Sequence, residues 1–286
     1  MEAARAARGR AAERAAERPT GAAVNLGTGH GRHRNPPHHH MCGRISLYTP
    51  PARVARLFHA TLVEGAEDRP RPLWNIGPTS PVLGVHTHRQ PDAPDRAVEG
   101  GEEPRRLLDL FRWGLVPSWA KDLSGGSRLF NARAETVDSK PSFRAAFRRR
   151  RLLVPADGFF EWHAGPGGRR RPHYFHRVDD TPMALAGVWE VWRDPRDPDG
   201  VPVQSCAIIT TRAGPDMEGI HDRMPVVLDP GMLDLWLDPT SEAEELKALL
   251  RATRPGTLAH HLVDPRMGNV RHDDPSAIAE LVEDRA

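Results

Sequence analysis

Lysine is almost missing from this 286-residue chain: of its 40 basic residues only Lys121, Lys140 and Lys247 are lysines. A bias towards Arg, Ala and Pro of this kind fits a GC-rich genome and by itself indicates no function. Cysteine is as scarce. Cys42 and Cys206 allow at most one disulfide, which excludes a disulfide-stapled scaffold. Cys206 lies in VQSCAIITT, which reads as a buried strand, so it is taken as a small core residue. No apolar run approaches the ~20 residues of a membrane span, and the first residues lack the apolar core of a signal peptide. A cytoplasmic, reduced protein with no membrane partner is expected. There is no internal repeat and no regular βαβ alternation.

The net charge of +2 is unevenly spread. Residues 1–40 hold seven Arg and three Glu, which leaves 33 basic against 35 acidic groups in 41–286. Overall charge therefore gives no support for a nucleic-acid partner, and any such case rests on local clusters. Residues 1–40 also look unlike the rest. MEAARAARGRAAERAAERP has only alanines to bury, and GAAVNLGTGHGRHRNPPHHH is rich in Gly, His and Pro. This is read as a disordered tail, either a start placed too early or a leader that is removed. His33 and His38 to His40 belong to that tail, so no metal site and no cofactor are expected.

From Cys42 the pattern becomes dense. GRISLYT, PVLGVHTH, LLDLFRWGLV, RLLVPADGFFEW, HYFHRV, MALAGVWEVW, QSCAIITT and MPVVLD read as strands. PPARVARLFHA, SFRAAFRR, PGMLDLWL, SEAEELKALLRA and a last short PSAIAELV read as helices. Stretches near 90–104 and 193–202 read as loops. Strands outnumber helices without alternating with them, so the expected class is α+β: one β-rich domain over 41–286, a central antiparallel sheet or barrel with peripheral helices.

Several stretches carry polar residues that a strand or turn does not need. FNARAET puts Asn131, Arg133 and Glu135 on alternate positions of an extended segment. DGFFEWH sets Glu161 among aromatics, and GIHDRMPVVL places His221 and Arg223 just before an apolar strand. LWNIGPTSP puts Asn75 beside a Gly-Pro turn, where it reads as turn-forming or loop-ordering. Each has a structural alternative: a buried polar network, an ion pair with Arg, a turn cap.

Taken together these stretches resemble a known family. MCGRI, FRWGLVPSWAKD, FNARAETVDSKPSFR, GFFEW, IHDRMPVVL and GNVR occur in the order of the SRAP (SOS response-associated peptidase) family, and the resemblance spans roughly residues 41–285. It implies the family's own β-rich α+β fold and a covalent shield for abasic sites in single-stranded DNA. By resemblance Cys42 is the nucleophile, with Asn131, Glu161 and His221 in its active site. Arg44, Arg133 and Arg223 match positions expected to contact DNA phosphates, and Asn75 and Trp119 are grouped with them. One departure is large: forty residues and Met41 precede the cysteine that the family presents at its terminus.

The chemistry explains these residue types. An abasic deoxyribose exposes a small amount of open aldehyde. A free α-amine, with pKa about 7.7–8.0, can attack it to give an imine. The thiol on the same residue then closes a thiazolidine ring, helped by proximity. Glu161 is expected to have a raised pKa and to pass protons; His221 assists ring opening, and Asn131 holds the amine or the sugar. Whether Glu161 or His221 is the main proton carrier stays open.

Arg144, Arg148 to Arg151 and Arg169 to Arg171 form local basic clusters, and Trp113, Trp119 and Phe160 are candidates to stack on bases. Trp189 and Trp192 read as core. With no base-reading motif, binding is expected to be sequence-independent and salt-sensitive. A monomer associated with the nucleoid is expected. Two rival functions remain: a cysteine peptidase using Cys42, His221 and Glu161, which gives the tail a purpose as a self-removed leader, and a non-catalytic single-stranded DNA-binding module.

Overall fold

A computed structural model of the chain describes residues 42–66, 73–87 and 106–282. The tail expected over 1–40, Met41 and the loop expected near 90–104 lie outside the described residues. All described residues fall within one compact unit, His40–Ala286.

Among the described residues fourteen strands dominate. In chain order they are β1 (Ile45–Leu47), β2 (Ala60–Leu62), β3 (Leu73–Ile76), β4 (Pro81–Thr87), β5 (Arg106–Trp113), β6 (Asn131–Arg133) and β7 (Arg151–Ala156). Then follow β8 (Gly158–Ala164), β9 (Arg170–Arg177), β10 (Met183–Trp192), β11 (Val203–Arg212), β12 (Arg223–Pro225), β13 (Val227–Leu228) and β14 (Leu258–Leu262). Four short helices of the described residues flank them: α1 (Pro51–Leu57), α2 (Arg144–Arg149), α3 (Leu233–Leu237) and α4 (Ala243–Leu249). The fold is the expected β-rich α+β domain. Among the described residues no helix is long and apolar enough to cross a membrane.

The strands form two sheets. One runs β14-β9-β8-β1-β3, and the other is built on β12-β11-β10-β7-β4-β5-β2. Within the second, β5 returns to pair with β11 in parallel, Ser205 against Arg112 and Cys206 against Trp113. That pairing closes β11, β10, β7, β4 and β5 into a five-stranded ring, so none of the five is left as an edge. β10 explains itself in this position: eight consecutive residues from Met183 to Glu190 are buried, as for a strand covered on both faces. Trp189 and Trp192 are buried there as expected.

The run RLLVPADGFFEW is not one strand. β7 belongs to the barrel and β8 to the other sheet, and the chain crosses between them at Asp157. The Asp157 carboxylate accepts from the backbone N–H of Tyr48 (2.6 Å) and of Thr49 (2.7 Å), tying the crossing to the end of β1. Gly158 follows because the Tyr174 ring lies where its Cβ would be, 2.2 Å away. Smaller departures have similar local causes. Glu135 lies in a turn beyond β6, not on a strand face with Asn131 and Arg133. PSAIAELV forms only a 3₁₀ turn, Pro275–Ala277. LWNI and LAHHL, not read as strands, pair as β3 and β14.

Candidate active site

Cys42 enters the fold just before β1, and β1 pairs with β8. This antiparallel register brings Cys42 beside the middle of β8, where Glu161 points inward. Both residues are wholly buried. The backbone nitrogen of Cys42 donates to Glu161 Oε1 at 2.6 Å. Asn131, at the start of β6, donates from Nδ2 to the Cys42 carbonyl at 3.3 Å. Cys42 itself holds φ of 35°, in the left-handed region that a residue with a Cβ rarely adopts. Its two backbone partners therefore hold a strained residue in place.

His221 reaches the same carboxyl from the loop before β12. Its Nε2 lies 4.0 Å from Glu161 Oε2. Its Nδ1 accepts the backbone N–H of Arg223 at 3.0 Å. Asp222 Oδ1 also lies 3.1 Å from Nδ1, but a backbone N–H can only donate. The neutral ring therefore carries its proton on Nε2, facing Glu161.

Electrostatics follow from burial. Desolvation pushes the Glu161 carboxyl up to about 8, against hydrogen bonds from the Cys42 and Trp162 backbone that pull it down. Glu161 Oε2, buried without a hydrogen-bond partner, fits a carboxyl that carries a proton at neutral pH. Burial, and then the Glu161 charge, also push the Cys42 thiol well above the ordinary thiol range. A peptidase nucleophile of the Cys-His kind needs the opposite shift, towards thiolate.

Beside Cys42 opens a cleft of about 260 Å³, lined by Gly43, Arg44, Pro78, Phe130, Trp162 and Arg170. That is just under the ~300 Å³ at which pockets for drug-sized ligands begin, a size suited to a fragment such as one sugar with its phosphate. The Arg170 guanidinium lies over the Trp162 ring, 5.5 Å from its centre. Trp162 and Arg170 were not singled out for this cleft from the sequence. The alternation along β8, with Glu161 on one face and Trp162 on the other, was the available signal.

The expected DNA-contacting residues separate into two groups. Arg44 lines the cleft, its guanidinium held by Asn75 Oδ1 (2.9 Å) and the Gly268 carbonyl (2.9 Å). Arg133 is exposed on β6, and Trp119 is 68% exposed on the loop after β5. Asn75 neither lines the cleft nor lies at the surface. It is buried, and its Nδ2 donates to the carbonyls of Met267, Asn269 and His272, so it orders the loop that carries GNVR. Arg223 is likewise turned inward, forming a two-pronged ion pair with Glu135 and donating to the Thr210 carbonyl. Trp113 and Phe160 are fully buried and cannot stack on a base. Arg151 is buried too, donating to the Trp236 and Phe147 carbonyls, whereas Arg144, Arg148 and Arg149 are exposed.

The profile of the SOS response associated peptidase family matches residues 41–270. The chain belongs to the SRAP family. Abasic site processing protein YoqW of Bacillus subtilis is 32% identical over 241 residues, covering 83% of this chain and 99% of that protein. Abasic site processing protein HMCES of Gallus gallus is 31% identical over 278 residues, covering 84% and 78%. Among solved structures, a protein from Bacteroides thetaiotaomicron superposes with a TM-score of 0.69 at 23% identity, over 84% of this chain and all of that one. That likeness concerns the SRAP fold alone. The SRAP profile begins at Met41 and reaches the GNVR loop, so it takes in Cys42, Asn131, Glu161 and His221 together.

Proposed function

We propose that the protein processes abasic sites in single-stranded DNA by forming a covalent bond through Cys42. The observation that carries this reading is the 2.6 Å contact between Glu161 and the backbone nitrogen of Cys42. A carboxyl aimed at that nitrogen, and not at the thiol, suits chemistry that runs through the amine. While Met41 precedes Cys42, the nitrogen is an amide and its lone pair is delocalised. Residues 1–41 must therefore be absent, or be removed, before Cys42 can act.

With a free α-amine, the nitrogen adds to the C1′ aldehyde of the opened sugar and gives a carbinolamine. Glu161 donates a proton to the departing hydroxyl, which leaves as water, and the carboxylate takes back the N–H proton of the resulting iminium, so that an imine remains. The thiol, held neutral by burial, adds its sulfur to the imine carbon while its proton passes to nitrogen. A five-membered thiazolidine results, with no oxidant or metal in the balance. Asn131, on the Cys42 carbonyl, keeps the residue oriented for ring closure. His221, with its Nε2 proton towards Glu161, can steady the carboxylate that forms there by hydrogen bonding as the pair closes up. Arg44 and Arg170 at the cleft would take phosphates, with Arg133 and Trp119 further out.

The test mixes protein beginning at Cys42 with single-stranded DNA holding one abasic site. A heat-stable adduct should form without reductant. Cys42→Ala should abolish it, and an adduct at wild-type yield from that variant would overturn the reading.

One observation also favours leader self-removal. The nitrogen that Glu161 contacts is the one that hydrolysis of the Met41–Cys42 bond would release: water adds to the Met41 carbonyl carbon, and a carboxyl protonated near neutral pH can supply the proton of the leaving nitrogen. Purified full-length chain should then shorten to Cys42 on incubation, by intact mass. Glu161→Gln should stay full length.

A further inference from the structure

Beyond the Cys42 site, the sheet that carries Glu161 also carries a group of imidazoles. His163 lies on β8, His173 on β9 and His260 on β14. The β8–β9 register sets Glu161 directly opposite His173, and His163 opposite Arg171. The β9–β14 register sets His260 opposite Phe175 and Leu262 opposite His173. All three histidines therefore point to one face of the sheet, with His173 and His260 as diagonal cross-strand neighbours. Their ring centres are 5.2 Å apart, and the His163 and His173 rings 6.3 Å. His176 and His261 belong to the other face.

The closest approach is between the two Nδ1 atoms of His173 and His260, at 3.3 Å. Nitrogens bound at about 2.0–2.1 Å to one tetrahedral ion stand roughly 3.3–3.4 Å apart. The two rings already hold that spacing through a hydrogen bond between the nitrogens, and with both ring protons on Nε2 the two Nδ1 lone pairs are free for an ion in its place. Burial and the neighbouring His260 and His163 hold His173 down at about 4, and burial lowers His260, so both rings are neutral ligands at pH 7. His260 is exposed, so an ion can reach the pair from solvent.

We propose that His173 and His260 form a two-imidazole clip for a late first-row divalent cation of the Cu²⁺ or Zn²⁺ class, its remaining positions filled by water. Among the described residues no group of three or more His, Cys, Asp or Glu side chains is arranged to hold a metal ion. The clip is thus an open, two-ligand site and not a structural metal centre. Imidazole suits these ions, and Cu²⁺ binds tightest in the series, which makes it the probe of choice.

The experiment measures Cu²⁺ bound to the full-length chain by equilibrium dialysis, for the wild type and for His260→Asn, His173→Asn and His176→Asn. The histidines of residues 1–40 contribute equally to all four proteins. The wild type and His176→Asn should hold one more ion than His260→Asn and His173→Asn, or hold it at least tenfold tighter. His260 is exposed, so His260→Asn tests the clip even if His173→Asn disturbs the sheet. Equal uptake and affinity in wild type and His260→Asn would overturn the proposal, as would loss of the same ion from His176→Asn.

Discussion

At the scale of single residues the site is governed by one buried carboxyl. Glu161 stays protonated near neutral pH because desolvation outweighs the hydrogen bonds that favour its anion. Glu161→Gln keeps the shape and removes the transferable proton. In protein beginning at Cys42 it should slow adduct formation by roughly 10²–10⁴-fold while DNA binding persists. Single-turnover cross-linking checks this; loss of binding with an unchanged rate on bound DNA would make Glu161 a structural residue. The same carboxyl sets a pH dependence of folding. Its folded pKa is raised, so its contribution is complete below the ordinary carboxylate range and is lost as pH climbs through about 8. Across that window wild-type stability should fall by up to ~1.4 kcal/mol per pH unit relative to Glu161→Gln. Urea titrations of the full-length chain at pH 5, 6, 7 and 8 measure it, and parallel curves for the two proteins would contradict it.

At the scale of elements, two joints bring the site together. The first is the crossing at Asp157 and Gly158, where the chain leaves the barrel and enters the sheet that presents Glu161. The second is the loop 267–272, which Asn75 holds by its amide from β3. Asn75→Ala removes three contacts to loop carbonyls and the acceptor for Arg44. It should cost about 1–3 kcal/mol of stability and also weaken binding of single-stranded DNA, because Arg44 loses its hold beside the cleft. Thermal melts and fluorescence anisotropy report the two effects. A stability loss with unchanged affinity would separate Arg44 from DNA contact. The first joint was not legible in the sequence, because RLLVPADGFFEW is apolar on both sides of Asp157 and local pattern does not say which sheet a strand joins. The second was legible in part, since Asn75 reads as loop-ordering although the distant loop it holds does not show.

At the scale of the whole molecule, the arginines divide by what surrounds them. Arg133 is exposed, whereas Arg223 is fixed to Glu135 and Thr210, and Arg151 to four backbone carbonyls. If Arg133 meets a phosphate, Arg133→Ala should reduce the slope of log affinity against log salt by about 0.7, the value for one contact to a single strand. Arg223→Ala should leave that slope unchanged and instead lower stability by about 1–3 kcal/mol, because it strips the partner from Glu135 and from a buried carbonyl. Binding isotherms at several salt concentrations, paired with melts, distinguish the two. A slope change for Arg223→Ala would return it to the DNA-contacting set.

The sequence by itself determined the class of fold and most of the strands, and its family resemblance pointed to Cys42, Asn131, Glu161 and His221, which the structure brings together. Strand periodicity and short ordered motifs are local properties, readable one stretch at a time. It also carried the question of Met41, since an amide nitrogen and an amine differ by covalent structure alone. Only the tertiary structure decided which polar residues face the cleft and which face each other. Arg223, Trp113 and Phe160 looked as available as Arg44, Arg133 and Trp119 until long-range pairing buried them. The elevated carboxyl of Glu161 belongs to the same category. Its cause is the desolvation produced when β1 and β8 meet across more than a hundred residues of chain, and no local pattern encodes the dielectric that results.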